Sequence, residues 1–375
     1  MTVDVLVIGG GVVGLSIAWK AASEGLKVSL VSDATRPIAS DAAVGGLSFC
    51  LPDSVLAGDQ AVIELCLAAK KSYPEFITSL EAFSGIETGF RRRPTLMIRH
   101  VGESGSALDR IALARESIGL TSQHLSAAEC LTREPVLPDS VEEGLLLEDH
   151  HQINARALTS SLKSACKIAD VALSSDRVSR IIVEAGRAVG VETMSGNRIE
   201  AKVVAVAAGT WSGKLLGLPS ELVDCVRPVS GQIVLVDAGS EVPVPQHDLR
   251  TGGVYIVARS DNTIAVGATK SELGFDALPT LGSAHELAHE ALRLWPGVAE
   301  CRWLETTVGM RPKSADGLPL IGATSIPGVI AATGHFKNGV MFAALTADVV
   351  VDVIKNRRIV ECFDAFSPKR LCAHV

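Results

Sequence analysis

The first 33 residues constrain this chain most, because they place a strand, a glycine turn, a helix and a second strand in direct succession. The apolar run 3–8 predicts the first strand, residues 15–24 have helix composition, and residues 28–31 predict the second strand. Glycines between strand and helix allow a tight turn, a close approach to a pyrophosphate and close packing of the helix on the strand. The free amide groups and partial positive charge at the helix N-terminus favour phosphate binding. The pattern therefore predicts a dinucleotide-binding βαβ unit, with contacts from Gly9, Gly11, Val12, Val13 and Gly14.

The end of the second strand does not identify the dinucleotide. In this fingerprint an acidic side chain binds the adenosine ribose, about 20 residues after the glycines. Ser32 occupies that position here and Asp33 follows it, so both are candidates for the ribose contact. A neutral Ser32 followed by Arg36 also suits a ribose 2′-phosphate, which would mean NADP. These residues alone leave FAD and a nicotinamide cofactor open.

A second glycine-bearing turn lies near the far end of the chain. Residues 330–341 predict a strand, a turn and the start of a helix, which continues to about residue 354. A further helix N-terminus of this kind implies a second contact with the same extended ligand.

Four ordered segments give the chain a family resemblance: residues 203–212, 253–259, 309–322 and 330–341. With these motifs it resembles the glycine oxidase and D-amino-acid oxidase group of FAD-dependent amine oxidoreductases over nearly its whole length. The resemblance implies an α/β fold, in which a Rossmann-type FAD-binding domain is interleaved with an α+β substrate domain built on an antiparallel sheet. It implies an FAD-binding domain of residues 1–84, 145–212 and 323–375, and a substrate domain of residues 85–144 and 213–322.

The resemblance also implies FAD as a non-covalent cofactor. Related flavoproteins attach FAD through a cysteine whose aligned position here is about Gly309, and no cysteine lies between Cys301 and Cys362. In the family the linker 35–49 runs beside the pyrophosphate and the flavin, where small residues allow close backbone approach. Beyond the first turn, the implied cofactor contacts are Ser32, Asp33, Ser40, Gly45, Gly46, Leu47, Val178, Ala208, Gly209, Trp211, Gly334, His335, Phe336, Asn338, Gly339, Val340 and Met341.

Two residues are candidates for holding the carboxylate of an amino-acid substrate. The Arg311 guanidinium binds a carboxylate in bidentate fashion, and its alternative role is a structural salt bridge to Asp316. The Tyr255 hydroxyl is expected to give a second hydrogen bond, although strands favour tyrosine for packing as well.

Two further side chains are expected near the flavin. Lys337 stands where many glycine oxidases have arginine, and there it would stabilise an anionic reduced flavin; alternatively it is a solvated turn lysine. His335 is either a base for the substrate amine or a histidine that packs on the flavin.

Several positions depart from the glycine-oxidase pattern. Gly253 and Lys270 predict a roomier and more cationic cavity than glycine needs. The run Arg91–Arg93 either adds positive charge there or is a solvated basic turn or a docking surface. The resemblance therefore implies oxidation of the C–N bond of an amino acid, imino acid or opine to an imine, by hydride transfer to flavin. The chain would be a self-contained oxidase or the catalytic subunit of a multi-subunit opine or D-hydroxyproline dehydrogenase, which passes electrons to a partner subunit. A non-catalytic FAD-binding assembly subunit and an NADP-dependent reductase are the other hypotheses.

Composition excludes several other classes. The net charge of −7 is spread along the 375 residues, which argues against nucleic-acid binding. We expect no secretory signal, no membrane span, no metal site and a cytoplasmic location, with the eight cysteines reduced. The expected partners are a small substrate with a carboxylate and further subunits, in a homo-oligomer or a hetero-oligomer.

Hydrophobic periodicity predicts further elements. Residues 60–83 predict a helix that Pro74 kinks or interrupts, and residues 171–183 predict one strand of the nucleotide sheet. Three β segments, 231–236, 254–259 and 263–269, are expected in the substrate domain.

Overall fold

The computed structural model describes residues 2–48, 59–356 and 361–374. Its helices are α1 (Val12–Ser23), α2 (Gln60–Ser84), α3 (Ser106–Glu116), α4 (Ala127–Arg133), α5 (Ala155–Ile168), α6 (Leu281–Leu294) and α7 (Gly339–Ile354). Its strands are β1 (Val3–Ile8), β2 (Val28–Ser32), β3 (Gly46–Leu47), β4 (Thr95–His100), β5 (Gln123–Ser126), β6 (Val141–Leu147), β7 (His151–Gln152), β8 (Ala172–Ser175), β9 (Val178–Glu184), β10 (Arg187–Thr193), β11 (Arg198–Val206), β12 (Val226–Asp237), β13 (Asp248–Arg250), β14 (Tyr255–Ala258), β15 (Thr263–Gly267), β16 (Arg302–Ser314), β17 (Leu320–Ala323) and β18 (Val329–Thr333).

The first sheet is the nucleotide-binding sheet that the sequence predicts. Its order is β17-β18-β11-β1-β2-β8, with β9 and β10 joined at β11, and β1 pairs in parallel with both β2 and β11. Val5 and Val7 belong to the core shared with α1 and α7, whereas Leu6 and Ile8 belong to the core under β9 and β10. Because both faces of β1 are covered, the strand is apolar throughout instead of alternating.

The second sheet has the order β16-β12-β15-β14-β13-β4-β6-β5. Its pairs are antiparallel except that β13 lies parallel to β4. The expected antiparallel sheet is therefore correct apart from this pair. The exception arises because β13 and β4 are distant in sequence, so that no hairpin sets their direction. Leu287 and Trp295 bring α6 and the turn after it onto one face of the sheet.

We propose that each sheet belongs to one of the two interleaved domains that the sequence predicts. Strands β6 and β17 cross the proposed boundaries at 144/145 and 322/323. A small pair, β3 with β7, joins the linker after the first βαβ unit to the chain that returns from the second sheet.

Two local predictions need correction. Helix α2 is not interrupted at Pro74, because apolar residues before and after it, among them Tyr73 and Ile77, are buried in the core and offset the cost of the proline. Residues 171–183 form two strands instead of one, because β8 pairs with β2 while β9 turns away to pair with β10. None of the helices in the described ranges is long and apolar enough to cross a membrane.

Candidate active site

A cavity of about 410 Å³ lies where the two sheets meet. The first sheet contributes the carboxyl ends of β1, β2, β11 and β18, and the second contributes residues of β12, β14 and β16. Ligands of open α/β sheets bind outside the carboxyl ends of the strands, where the chain connections leave a crevice. The cavity is therefore placed for a nucleotide from one side and for a substrate from the other.

Most of the predicted cofactor residues line this cavity. They are Gly9, Gly11, Val12, Val13, Ser32, Asp33, Ser40, Gly45, Gly46, Val178, Ala208, Gly209, Trp211, His335, Phe336, Asn338, Gly339, Val340 and Met341. Three others do not line it. Leu47 is 1% exposed and belongs to the core, Gly14 packs α1 on β1, and Gly334 has a φ of +75° that allows the turn after β18.

The glycines of the first turn have separate tasks. A Cβ on Gly9 would lie 2.3 Å from the Ala207 carbonyl oxygen, and a Cβ on Gly14 would lie 2.0 Å from the Gly9 carbonyl oxygen. Gly11 differs, because a Cβ there would meet no described atom closer than the Ser40 hydroxyl at 3.5 Å. The space beside Gly11 therefore opens into the cavity at the N-terminus of α1, which fits a pyrophosphate.

The Asp33 carboxylate lines this cavity directly after the end of β2. It accepts hydrogen bonds from the Thr35 hydroxyl (2.6 Å) and from Arg177 Nε (2.7 Å), and Arg36 Nε lies 3.3 Å away. Although burial acts to raise it, these hydrogen bonds hold the pKa of Asp33 at about 2. Asp33 is therefore a fixed anion beside Ser32, whose hydroxyl lies against Gly10.

Arg36 contacts an aromatic ring, which the sequence does not predict. Its Cζ lies 3.7 Å from the Trp211 ring centroid, and Phe275 also stacks on Trp211, with ring centroids 4.2 Å apart. With Asp33 beside it as well, the guanidinium stabilises the cavity wall. These contacts remove the argument that linked Arg36 to a ribose 2′-phosphate.

Arg311 is partly buried on β16 and lines the cavity. Its guanidinium covers Gly231, where a Cβ would lie 2.1 Å from Nη2, and Nη1 donates to the Thr269 carbonyl oxygen at 3.1 Å. The alternative salt bridge to Asp316 is wrong, because Asp316 pairs with Arg370 at 2.7 Å. Burial lowers the pKa of Arg311, and no carboxylate in the described ranges pairs with it. A buried charge without a counter-ion is costly, so this site is suited to an anionic ligand.

Tyr255 and two residues of β13 form the wall next to it. The Tyr255 hydroxyl donates to Asp248 Oδ2 at 3.1 Å, and Arg250 Cζ lies 5.4 Å from the ring centroid. Tyr255 and Arg250 both line the cavity. Asp248 and Arg250 could not be identified from the sequence, because a three-residue strand shows no periodicity that would assign their faces.

His335 and Lys337 lie at the start of α7. His335 is buried and its Nε2 lies 2.9 Å from the Thr346 hydroxyl. Burial lowers the pKa of His335 to about 4, so the imidazole is neutral at pH 7. Lys337 is exposed on its outer side but lines the cavity next to the helix N-terminus.

Of the residues that predicted an enlarged cationic cavity, Gly253 lines the cavity, whereas Lys270 and Arg91–Arg93 do not. Lys270 is exposed and lies outside the cavity lining. Strand β15 ends at Gly267, but the chain still pairs with β12 through Thr269 and Ser271, the two neighbours of Lys270. Arg93 turns inward behind the cavity wall, with Nε 3.8 Å from Asp248 Oδ1. Gly253 does line the cavity, but a Cβ there would lie 3.0 Å from Glu290 Oε2, so the neighbouring charge is negative.

Comparisons with known proteins agree with this geometry. The family model of FAD dependent oxidoreductases named DAO matches residues 4–353. The bifunctional protein ThiO/ThiG of Trichormus variabilis is 32% identical over 96% of this chain and 53% of its own length. The chain thus spans about half the length of the first curated relatives that it matches.

Solved structures give the same result. The crystal structure of glycine oxidase from Geobacillus kaustophilus has a TM-score of 0.89 and 27% identity, covering 98% of this chain and 99% of that one. Iminodiacetate oxidase from Chelativorans sp. BNC1 has a TM-score of 0.87 and 25% identity, covering 97% and 99%. The predicted family, fold class and FAD cofactor are confirmed: the chain belongs to the DAO family of FAD-dependent oxidoreductases.

Proposed function

We propose that this enzyme oxidises the C–N bond of glycine or another small amino acid to an imine, which then hydrolyses. The observation that carries the proposal is Arg311, a partly buried guanidinium in the cavity wall that no carboxylate of the described chain neutralises. The relatives named glycine oxidase support the same substrate class.

The protein's part in the reaction is binding and orientation. Bound FAD supplies the two-electron oxidation. Arg311 of β16 holds the substrate carboxylate, and Tyr255 lines the same cavity from β14, which β12 and β15 separate from β16 in the sheet. A carboxylate fixed at two points leaves the α-carbon little freedom, and such orientation accounts for a large part of the rate enhancement. His335 is neutral and hydrogen-bonded to Thr346, so we assign it to the support of the α7 turn.

We place the cofactor along the cavity from the α1 N-terminus to the α7 N-terminus. The pyrophosphate would lie beside Gly11 and Ser40, since Ser40 already accepts the Val12 amide at 3.1 Å and fixes that turn. Lys337 and the α7 N-terminus would supply positive potential at the other end. Non-covalent attachment stays a prediction.

The hypothesis of a multi-subunit opine dehydrogenase loses most of its support from the site. It depended on Gly253, Lys270 and the run Arg91–Arg93, and of these only Gly253 lines the cavity. We therefore favour a self-contained oxidase that passes electrons to oxygen. The oligomeric state and the cytoplasmic location stay predictions.

One observation favours a second substrate. Arg250 lines the cavity on the same wall as Tyr255, so a substrate with a second carboxylate would find a second cation there. Iminodiacetate has this chemistry, and a structurally similar enzyme is named for its oxidation.

A substrate panel distinguishes the two candidates. Glycine, sarcosine, D-alanine and iminodiacetate would be mixed anaerobically with the purified flavoprotein, and bleaching of the flavin absorbance would be recorded. We expect glycine to bleach the flavin fastest. Faster bleaching by iminodiacetate, lost in Arg250→Met, would select the second candidate. If dithionite bleaches the flavin but no member of the panel does, the proposed function is wrong.

A further inference from the structure

A buried carboxyl group lies directly behind the tyrosine of the substrate site. Asp248 is 0% exposed on β13, and its backbone amide donates to the Pro94 carbonyl oxygen at 3.1 Å, which fixes it beside β4. Its Oδ2 is 3.1 Å from the Tyr255 hydroxyl. The proposed reaction does not involve this carboxyl group.

The surroundings of Asp248 do not neutralise it fully. Arg93 Nε lies 3.8 Å from Oδ1, beyond hydrogen-bond distance, and Arg93 Nη1 donates instead to the Ala258 carbonyl oxygen at 3.1 Å. Among the described residues, Asp248 Oδ1 and Arg93 Nε have no hydrogen-bond partner.

Other charges around the pair are more distant or already engaged. The Arg250 guanidinium lies over the Tyr255 ring at 5.4 Å. Glu134 accepts the backbone amides of Gln246 and His247 at 2.8 Å each and contacts His247 Nδ1 at 3.0 Å. Burial raises the pKa of Asp248 to about 8, against the opposing effects of Arg93 and Tyr255. The carboxyl group is therefore largely protonated at neutral pH and ionises just above it.

The protonation state decides the direction of the hydrogen bond. A phenol has one proton to donate, and burial raises the pKa of Tyr255, so the phenol itself stays neutral. When Asp248 carries a proton on Oδ2, it donates to the Tyr255 oxygen. The Tyr255 proton is then available to a carboxylate in the cavity, in competition with the Thr95 and Ser48 hydroxyls beside the phenol. When Asp248 is ionised, it accepts the Tyr255 proton, and the phenol presents lone pairs to the cavity. Lone pairs repel a carboxylate.

We propose that Asp248 is a positioning residue, which determines whether the Tyr255 hydroxyl donates a hydrogen bond to the substrate carboxylate or turns away to Asp248 itself. The inference rests on the proposed function only in that a carboxylate binds beside Arg311. It makes the affinity for carboxylates, and not the oxidation itself, sensitive to alkaline pH.

The test uses the FAD-loaded enzyme and acetate. Acetate is a carboxylate that has no amine, so it offers no C–N bond to oxidise. Acetate would be titrated from about pH 6 to about pH 9, with the change in the flavin spectrum as the readout of binding. We expect a constant Kd at low pH and a Kd that rises roughly tenfold or more above about pH 8, as one hydrogen bond to a charged group is lost.

Two variants separate positioning from a structural role. In Asp248→Asn the amide nitrogen donates to the phenol at every pH, so the Kd of acetate should stay near its low-pH value throughout. In Tyr255→Phe the Kd should equal the weak alkaline value at every pH. The proposal is overturned if the unaltered enzyme shows a flat profile, if acetate does not bind at any pH, or if Asp248→Asn keeps the original profile. A pH-dependent acetate Kd without flavin reduction by any amino acid would refute the proposed function alone.

Discussion

The Tyr255 ring packs directly on the backbone of Gly46, so closely that a Cβ at position 46 would lie 2.0 Å from Tyr255 Cε1. This contact joins the linker of the nucleotide-binding part to a strand of the second sheet. The position of the tyrosine in the substrate site is therefore set by a glycine of the cofactor site.

Gly46→Ala should displace Tyr255 and lower kcat/KM for glycine about 10- to 100-fold, since small displacements at a reacting centre are costly. Steady-state kinetics measures the effect. The matched control is Gly282→Ala, at a position where a Cβ meets no described atom within 4 Å. Equal kinetics in the two variants would show that the Tyr255–Gly46 contact has no part in catalysis.

The glycines of the first turn should respond differently to substitution. Gly11→Val should fold but lose FAD, because its side chain enters the space left for the pyrophosphate. Gly14→Ala should lower the free energy of unfolding, because its Cβ would lie 2.0 Å from the Gly9 carbonyl oxygen. The flavin-to-protein absorbance ratio and thermal unfolding measure the two effects. Full flavin in Gly11→Val would refute the pyrophosphate assignment.

Arg311→Leu should weaken the binding of glycine by about 2–5 kcal/mol, as expected for a lost buried charge pair. FAD should stay bound, since Arg311 is assigned to the substrate. The affinity of Arg311→Lys for glycine should lie between that of the unaltered enzyme and that of Arg311→Leu, because lysine keeps the charge but not the bidentate geometry. Anaerobic titration of flavin reduction gives the apparent Kd. An unchanged Kd would assign Arg311 to the structure instead.

Acidification should destabilise the fold through His335. Burial lowers its pKa to about 4 in the folded state, against an ordinary value of 6.5. The unfolded chain therefore binds the proton first, and stability should fall between about pH 6.5 and about pH 4 by ~1.4 kcal/mol per pH unit for this histidine. His150, whose pKa burial lowers to about 3, should add a similar slope.

Urea unfolding at several pH values measures this dependence. His335→Asn should reduce the slope, while the exposed His124→Gln should leave it unchanged. The same slope in all three proteins would contradict the assignment.

The sequence was sufficient for features that depend on local order. The turn at Gly9, Gly11 and Gly14 has a fixed spacing between a strand and a helix, so its position at the cavity follows from the fingerprint. The capping box at the start of α4 is equally local, because Ser126 and Glu129 are only three residues apart and exchange both hydrogen bonds. Local patterns of this kind do not require knowledge of the tertiary structure.

The wall of the substrate site could not be predicted in this way. Asp248 and Arg250 lie on a three-residue strand whose place is set by two pairings. One is with β4, which is distant in the chain, and the other is with β14, which follows after a turn. Lys270 was misplaced because its neighbours Thr269 and Ser271 hold the chain against β12 while Lys270 itself is exposed, and the apolar pattern of residues 263–269 does not show this. A sequence shows which residues are charged but not where their side chains point, so Arg250 could be placed in the cavity wall only from the structure.

The most direct test of the account is an anaerobic titration of the purified protein with glycine, followed by admission of oxygen. We predict flavin absorbance near one equivalent per chain, bleaching by glycine, and return of the absorbance with hydrogen peroxide release. A protein that holds FAD and is bleached by dithionite, but not by glycine or the other amino acids of the panel, would contradict the account.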